Sequence, residues 1–324
     1  MKPTRRTLPL LAAALLAALP AWALAEVCPG RPITLLVGYP PGGSTDLTGR
    51  TVADELARVL KTTVVVENLG GAGGALAAQK LIGAAPDGCT LMVGANNELV
   101  INQHINRQIR YDGLRDFTPV GLVASQPLVL VASAKAGVSN LQAFVDQVRR
   151  HPGQASYGSS GVGTSLHLAG ELVKEKAGLD MVHVPYRGVA PLTNDLLGST
   201  IEYGVYVLSS GLPHIRAGKV VALGTTEARR SPLTPEIPAL AEHPAMKDID
   251  VSTWFMLVGP RGMPQPVLTT LRGALDEALK SPALRQKLEA SGSTVATAQP
   301  DLPAFMAAES AKFKRMAEVA RIQP

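Results

Sequence analysis

A continuous apolar run, Ile33 to Val37, stands between Pro32 and Gly38, the pattern of a short strand buried on both faces. Tyr39-Pro40-Pro41-Gly42-Gly43 follows. Then come Ser44, Thr45 and Asp46, all good N-cap types, and Leu47, Val52, Leu56 and Leu60 recur at helical spacing. Residues 33–60 therefore predict a strand, a glycine loop and a helix N-terminus. The alternation continues: Thr63–Glu67 (TVVVE) predicts a strand, Asn68–Gly74 a second glycine loop and Ala75–Ala85 a helix. Thr90–Gly94 predicts a third strand, with Asn96 and Asn97 just past its end. This is βαβαβ, the pattern of an open parallel sheet, and ligands on such sheets sit beyond the carboxyl ends of the strands.

From Phe117 the pattern restarts. Val120–Val123 and Leu128–Ala132 predict strands, Asn140–Arg150 a helix and Ala155–Tyr157 a short strand. Gly158–Ser165 (GSSGVGTS) is a third glycine-rich loop, opening a helix over Leu166–Ala177. Val182–Val184 predicts a strand, and Pro185–Pro191 leads into a helix over Leu192–Leu197, with Pro191 suited to the first turn. Strands are predicted at Ile201–Leu208, Val220–Thr225 and Ser252–Gly259, then helices at Pro266–Lys280, Ser281–Glu289 and Pro300–Ile322. With few strands left for a third sheet, the last helices most simply pack back on the first domain. The expected architecture is α/β in two lobes, the second inserted in the first. Residues 26–126 and 250–324 form lobe 1 and residues 127–249 lobe 2, with crossovers near 124–127 and 249–252.

The first 25 residues change the picture of what the working chain is. Lys2, Arg5 and Arg6 precede an apolar stretch from Leu8 to Leu19, and Ala23-Leu24-Ala25 offers a small-residue cleavage site. A signal peptide cleaved after Ala25 is expected, with export to the periplasm; Arg5-Arg6 faintly suggests the twin-arginine route. Cleavage removes three positive charges and no negative ones, so the net charge of +5 becomes +2. Aromatic residues make up only 4% of the chain. A nucleic-acid partner needs a basic face with stacking side chains, and neither is present.

The chain has two cysteines, Cys28 and Cys89, each just ahead of a predicted strand. If those strands are parallel neighbours, both cysteines lie at one edge of the sheet, and in an exported chain a disulfide is the favoured expectation. The bridge would close a loop of about 60 residues, worth on the order of 4 kcal/mol in the chain-entropy model. Two free buried thiols and a metal pair are the alternatives, though two cysteines are too few for a structural zinc site.

Catalytic patterns fail one by one. Gly158–Gly161 lacks the G-x-S-x-G spacing of a nucleophile elbow, and His167 just beyond it has no evident acid partner. Leu166 stands where the third glycine of a dinucleotide loop belongs, and no Walker lysine follows any loop. No HExxH occurs, and the six histidines are scattered. Neither a metal nor a cofactor is expected. What recurs is a helix N-terminus behind a small or polar loop: Ser44/Thr45, then Ser159/Ser160/Thr164, then Ala190/Pro191. Each N-terminus contributes about 0.3–2 kcal/mol to a bound charge. Three together approach the roughly −8 kcal/mol of a micromolar site. No arginine is required; Arg187 is the only basic residue in these loops, and a solvated or structural role suits it.

In order, Tyr39–Asp46 (YPPGGSTD), Val65–Asn68 with Gly70–Gly74, Pro86–Gly88, Asp116–Val120, Tyr157–Thr164 (YGSSGVGT), His183–Gly188 (HVPYRG) with Ala190-Pro191, Asp195–Gly198 and Ala217–Lys219 resemble the Bug, or tripartite tricarboxylate transporter, periplasmic substrate-binding proteins. The resemblance covers nearly the whole mature chain. It implies a two-lobed periplasmic binding protein, a Venus-flytrap whose lobes are each a mostly parallel sheet flanked by helices, with no catalysis. It implies a small organic-acid ligand, carried as a monomer to membrane permease subunits or, in some members, to a sensor kinase. By position, the implied ligand-binding residues are Tyr39, Gly42, Gly43, Ser44, Thr45 and Asp46 in lobe 1 and Ser159, Ser160, Thr164, Gly188, Ala190 and Pro191 in lobe 2. Asn96, Asn97 and His167 are implied as wall residues, and Asp46 has a helix cap as its alternative role. The chain departs from the family at Val205-Tyr206, where an aromatic followed by Asp is common. If that Asp meets a ligand's amino group in amino-acid binders, Tyr206 implies a different solute.

Overall fold

The computed structural model describes residues 27–322, so the expected signal peptide lies outside the described residues. Five strands form the first half of the fold: β1 (Ile33–Val37), β2 (Val64–Asn68), β3 (Thr90–Ala95), β4 (Phe117–Ser133) and, late in the chain, β9 (Ser252–Pro260). The second half adds β5 (Ala155–Ser159), β6 (Met181–Pro185), β7 (Tyr203–Val207) and β8 (Val220–Thr225). The sheet order is β2-β1-β3-β9-β4-β7-β5-β6, with β8 and the short β10 (Thr294–Val295) also on β4. Pairing is parallel within β2-β1-β3 and within β6-β5-β7. Every pair made by β4 or β9 is antiparallel, so the whole is mixed.

Strand β4 belongs to both halves. Its residues Phe117–Pro127 pair with β9, while Leu128–Ser133 pair with β7 and β8. The two strands expected here, Val120–Val123 and Leu128–Ala132, are one, because Ser125 and Gln126 keep pairing with Trp254 and Thr253 despite their polarity. The return crossing lies beside it: Thr226 N–H donates to Leu128 O, and Val251 N–H to Thr226 O. The chain therefore passes between the two halves at two places, Gln126–Leu128 and Thr226–Val251.

Helices cover both faces. Along β1, Ile33 and Leu35 face the core shared with α1 (Ser44–Leu60), α8 (Gln265–Lys280) and α9 (Pro282–Ala290), through Val52, Leu56, Leu271, Leu275 and Leu284. Leu36 faces the opposite core, with α2 (Ala75–Ile82) and α10 (Leu302–Val319) supplying Ala78, Leu81 and Phe313. That two-sided burial explains why β1 reads as an unbroken apolar run. A π-helical turn, Asn97–Ile101, leads into the short α3 (Asn102–Ile105). In the second half, α4 (Leu141–Arg150) and α5 (Ser165–Ala177) pack one face, and α6 (Val189–Gly198) and α7 (Leu208–Arg216) the other.

The C-terminal helices do return to the first half, but α10 also packs on α5 and so touches both halves. The strand expected over Ile201–Leu208 stops at Val207, where α7 begins. Cys28 and Cys89 form a disulfide, Cα to Cα 4.8 Å. The reason is the one the sequence offered: β1 and β3 are parallel neighbours, Thr34 opposite Thr90.

Candidate functional site

A cavity of about 420 Å³ lies between the two halves, within the range of small-molecule sites. Its first wall is the loop after β1. Gly42 has φ +89°, which a β-carbon would strain. Gly43 is the N-cap of α1 and offers no side chain to the first turn. The amides of Ser44 and Thr45 therefore have no intrahelical acceptor, and these residues line the cavity. Asp46 does not line it. Its carboxylate turns back to accept from Gly42 N at 2.9 Å, Asn68 Nδ2 at 2.8 Å and Arg50 Nε at 3.1 Å. Those donors hold its carboxyl below the usual range despite the opposing effect of partial burial, which is the largest single influence. Asp46 is a splint for the loop, and it leaves no net negative charge facing the cavity.

The opposite wall comes from the second half. Gly188, φ +102°, is the N-cap of α6, again without a side-chain cap, so Val189 and Ala190 present open amides and Pro191 closes the turn. Ser160 lines the cavity, and its carbonyl accepts from Gly188 N. The third expected N-terminus, that of α5, is used within the protein: the Thr164 hydroxyl caps His167 N, and Asn97 Oδ1 accepts from Ser165 N at 3.0 Å. That last bond spans the two halves. Asn97 also donates to the Tyr39 hydroxyl at 2.7 Å, so the first loop and α5 are joined through one side chain.

Of the residues singled out by sequence, Tyr39, Gly42, Gly43, Ser44, Thr45, Asn96, Asn97, Ser160, Gly188, Ala190 and Pro191 line the cavity. Asp46, Ser159, Thr164, His167 and Tyr206 stand behind them. Ser159 is fully buried and shares a hydrogen bond with His183 Nε2 at 2.7 Å. His167 accepts from Gly163 N and stacks on His183, ring centroids 3.7 Å apart. Tyr206 is fully buried and donates to Thr193 Oγ1, so it reaches the lining only through Thr193. The second glycine loop stays outside the cavity and packs Gly74 on Glu98 and Gly73 on Asn102.

Sequence reasoning missed Ser209, Ser210 and His214, which α7 brings to the lining. The signal was there: Ser-Ser follows the strand at Val207 as it does at Ser159-Ser160. Pro213 inside the helix hid the helical period. Arg187 lines the rim and is exposed. Among the described residues, no aspartate or glutamate lines the cavity. Among the described residues, no group of His, Cys, Asp and Glu could hold a metal ion, and no helix is long and apolar enough to cross a membrane.

Three buried groups beside the site shift in two opposite senses. Burial raises Glu98, which accepts from Ala95 N, to about 7. Burial lowers His167 to about 4 and His183 to about 3. The histidines contribute stability that is present above their unfolded value near 6.5 and lost as pH falls below it. Glu98 contributes stability that is full below its unfolded value near 4.5 and lost as pH rises through 7. Glu98→Gln leaves the histidine effect unopposed. Its melting temperature should therefore fall more steeply than the wild type's between pH 7.5 and 5; equal slopes would contradict the assignment.

Comparison with known proteins fits this geometry. Residues 48–321 match the sequence model of the tripartite tricarboxylate transporter family receptor. Protein BugT of Bordetella pertussis is 34% identical over 278 residues, 86% of this chain and 85% of BugT. The structure of R. palustris Rpa4515 with adipate is similar at TM-score 0.87 and 30% identity, over 92% of this chain and 99% of that one. MatC (Rpa3494) from Rhodopseudomonas palustris with bound malate gives TM-score 0.82 and 29% identity, over 89% and 99%. The fold is the two-lobed α/β fold of periplasmic binding proteins. The chain belongs to the tripartite tricarboxylate transporter receptor family, a family of solute-binding receptors and not of enzymes.

Proposed function

We propose that the protein is a periplasmic receptor that holds a small organic acid between its lobes and delivers it to the membrane subunits of a tripartite tricarboxylate transporter. One observation carries the reading: two uncapped helix N-termini, of α1 and α6, open on a cavity that no acidic side chain lines. Converging N–H groups with no competing negative charge favour an anion. The adipate and malate held by two solved relatives support a carboxylate. With no acidic residue in the lining among the described residues, an amino acid's ammonium would find no counter-charge there.

The lobes in this proposal are residues 26–126 with 250–324, and residues 127–249. They would open about a hinge at the two crossings, Gln126–Leu128 and Thr226–Val251, breaking the Asn97–Ser165 bond, and close again on the ligand. Release would then be the transporter's task, performed in the periplasm after cleavage of the leader at Ala25. Native mass spectrometry of protein taken from the periplasm tests the cargo. The expected spectrum carries an extra mass of one small organic acid that denaturation removes. A captured cation, sugar or peptide in its place would overturn the reading.

A further inference from the structure

Among the described residues, five buried side-chain atoms have no hydrogen-bond partner: Asn96 Oδ1, Gln126 Nε2, Ser209 Oγ, Ser210 Oγ and Thr234 Oγ1. The first four gather at the hinge end of the cavity. Asn96, Ser209 and Ser210 line it. Gln126 lies directly behind Ser209, accepting from Ser209 N at 2.9 Å, and pairs in β4 with Thr253, another lining residue. Asn96 in turn is tied to Ser252, the next residue of β9, at 3.3 Å. Asn96 is fully buried and Gln126 nearly so. Buried polar atoms left unpaired are destabilising, and such a group of four points to something that pairs with them.

The roles of the two amides are fixed. Asn96 Nδ2 donates to the Ser252 carbonyl, so its Oδ1 is left as an unpaired acceptor in a residue that lines the cavity. Gln126 Oε1 accepts from Ser209 N, so its Nε2 is left as a donor. Reversing either amide would set like against like. The two serine hydroxyls adapt to either role. The hinge end thus asks for a group that both donates and accepts.

We propose that this end of the cavity recognises a ligand hydroxyl, so that the receptor selects hydroxy acids over the unsubstituted acids. The proposal rests on the organic-acid reading above and narrows its substrate class. A hydroxyl gives its proton to Asn96 Oδ1 and accepts from the hydroxyl of Ser209 or Ser210, with Gln126 Nε2 free to donate behind them. A carboxylate oxygen only accepts and would meet Asn96 Oδ1 oxygen to oxygen. An ammonium only donates, and it finds no carboxylate in the lining among the described residues. A site that hydrogen-bonds a hydroxyl discriminates against the analogue lacking it, because the site's own buried groups are then unpaired.

The test is calorimetric titration of the full mature protein, dialysed free of bound solute, with matched pairs. These are malate and succinate, 2-hydroxyglutarate and glutarate, lactate and propionate, with aspartate as the amino counterpart of malate. The tightest acid is expected to be a hydroxy acid, binding at least about tenfold better than its parent. In Asn96→Ala the ratio should collapse to within about threefold of one, because the fixed acceptor is gone. Thermal unfolding checks that this variant folds; if it does not, Ser210→Ala, which removes only a hydroxyl, should still lower the ratio. A parent acid that binds as well as its hydroxy partner, or aspartate ahead of malate, overturns the proposal while leaving the acid-receptor reading intact. If no acid of the panel binds, both fall together.

Discussion

Replacing Ser44 by proline is expected to weaken acid binding at least about tenfold while leaving the melting temperature nearly unchanged. Ser44 is the first residue of α1, where proline's fixed φ suits the helix and the missing N–H interrupts no helical bond. The preceding residue, Gly43, already has the extended conformation that a following proline requires, φ −86° and ψ 175°. The substitution therefore removes one amide from the cavity wall and puts a ring carbon in its place. A hydrogen bond to a charged group contributes about 1.5–3 kcal/mol. That is roughly ten- to a hundredfold in affinity. Ser44→Ala keeps the amide and loses only the hydroxyl, so its effect should be smaller. Wild-type affinity in Ser44→Pro, measured by calorimetry, would show that the N-terminus of α1 does not carry the ligand's charge.

The second large effect concerns stability. Cys28 and Cys89 close a loop of sequence separation 61. In the chain-entropy model a loop of that length stabilises the fold by about 4 kcal/mol. The double variant Cys28→Ala, Cys89→Ala should melt roughly 7 °C lower. Reduction with a thiol should lower the wild type to the same temperature and leave the variant unchanged. Ligand affinity should persist in the folded variant, because the bridge lies at the amino ends of β1 and β3 and the cavity at their carboxyl ends. A variant that melts with the wild type would mean that the unfolded chain is constrained by other means.

Much of this architecture was legible because single residues speak for it. The Ile33–Val37 run between Pro32 and Gly38 marks a doubly buried strand, and the glycines after it mark the loop that leads into α1. The Tyr157–Thr164 and His183–Pro191 segments carried the second wall in the same way. What stayed hidden depended on partners far along the chain. Strand β4 is continuous only because β9, more than a hundred residues later, pairs with its polar middle at Ser125 and Gln126. Helix α7 was masked by Pro213, and with it Ser209 and Ser210 in the lining. The turn at Asn97–Ile101 has a π-helical period, which a search for helical spacing does not detect.

Side-chain direction was the other blind spot. Asp46, Ser159, Thr164 and His167 sit in or next to the loops that line the cavity, yet each turns its polar atoms toward its own half. Asp46 braces Gly42, Ser159 meets His183, Thr164 caps α5 and His167 receives Gly163 N. A loop of small residues at a helix N-terminus exposes its backbone to the ligand and spends its side chains holding that backbone in place. Sequence names the loop, but not which of its atoms face inward. Tyr206 shows the same limit, since its hydroxyl reaches the lining only by way of Thr193.

The central claim is that the cavity selects its ligand by negative charge, through backbone N–H groups. The most direct measurement is a calorimetric titration of the mature protein with malate and adipate against their uncharged diamides, at pH 7.5. At least one acid should bind with a dissociation constant of about micromolar, roughly −8 kcal/mol, and its diamide should bind at least about a hundredfold more weakly. A diamide that binds as tightly as its acid would contradict the account.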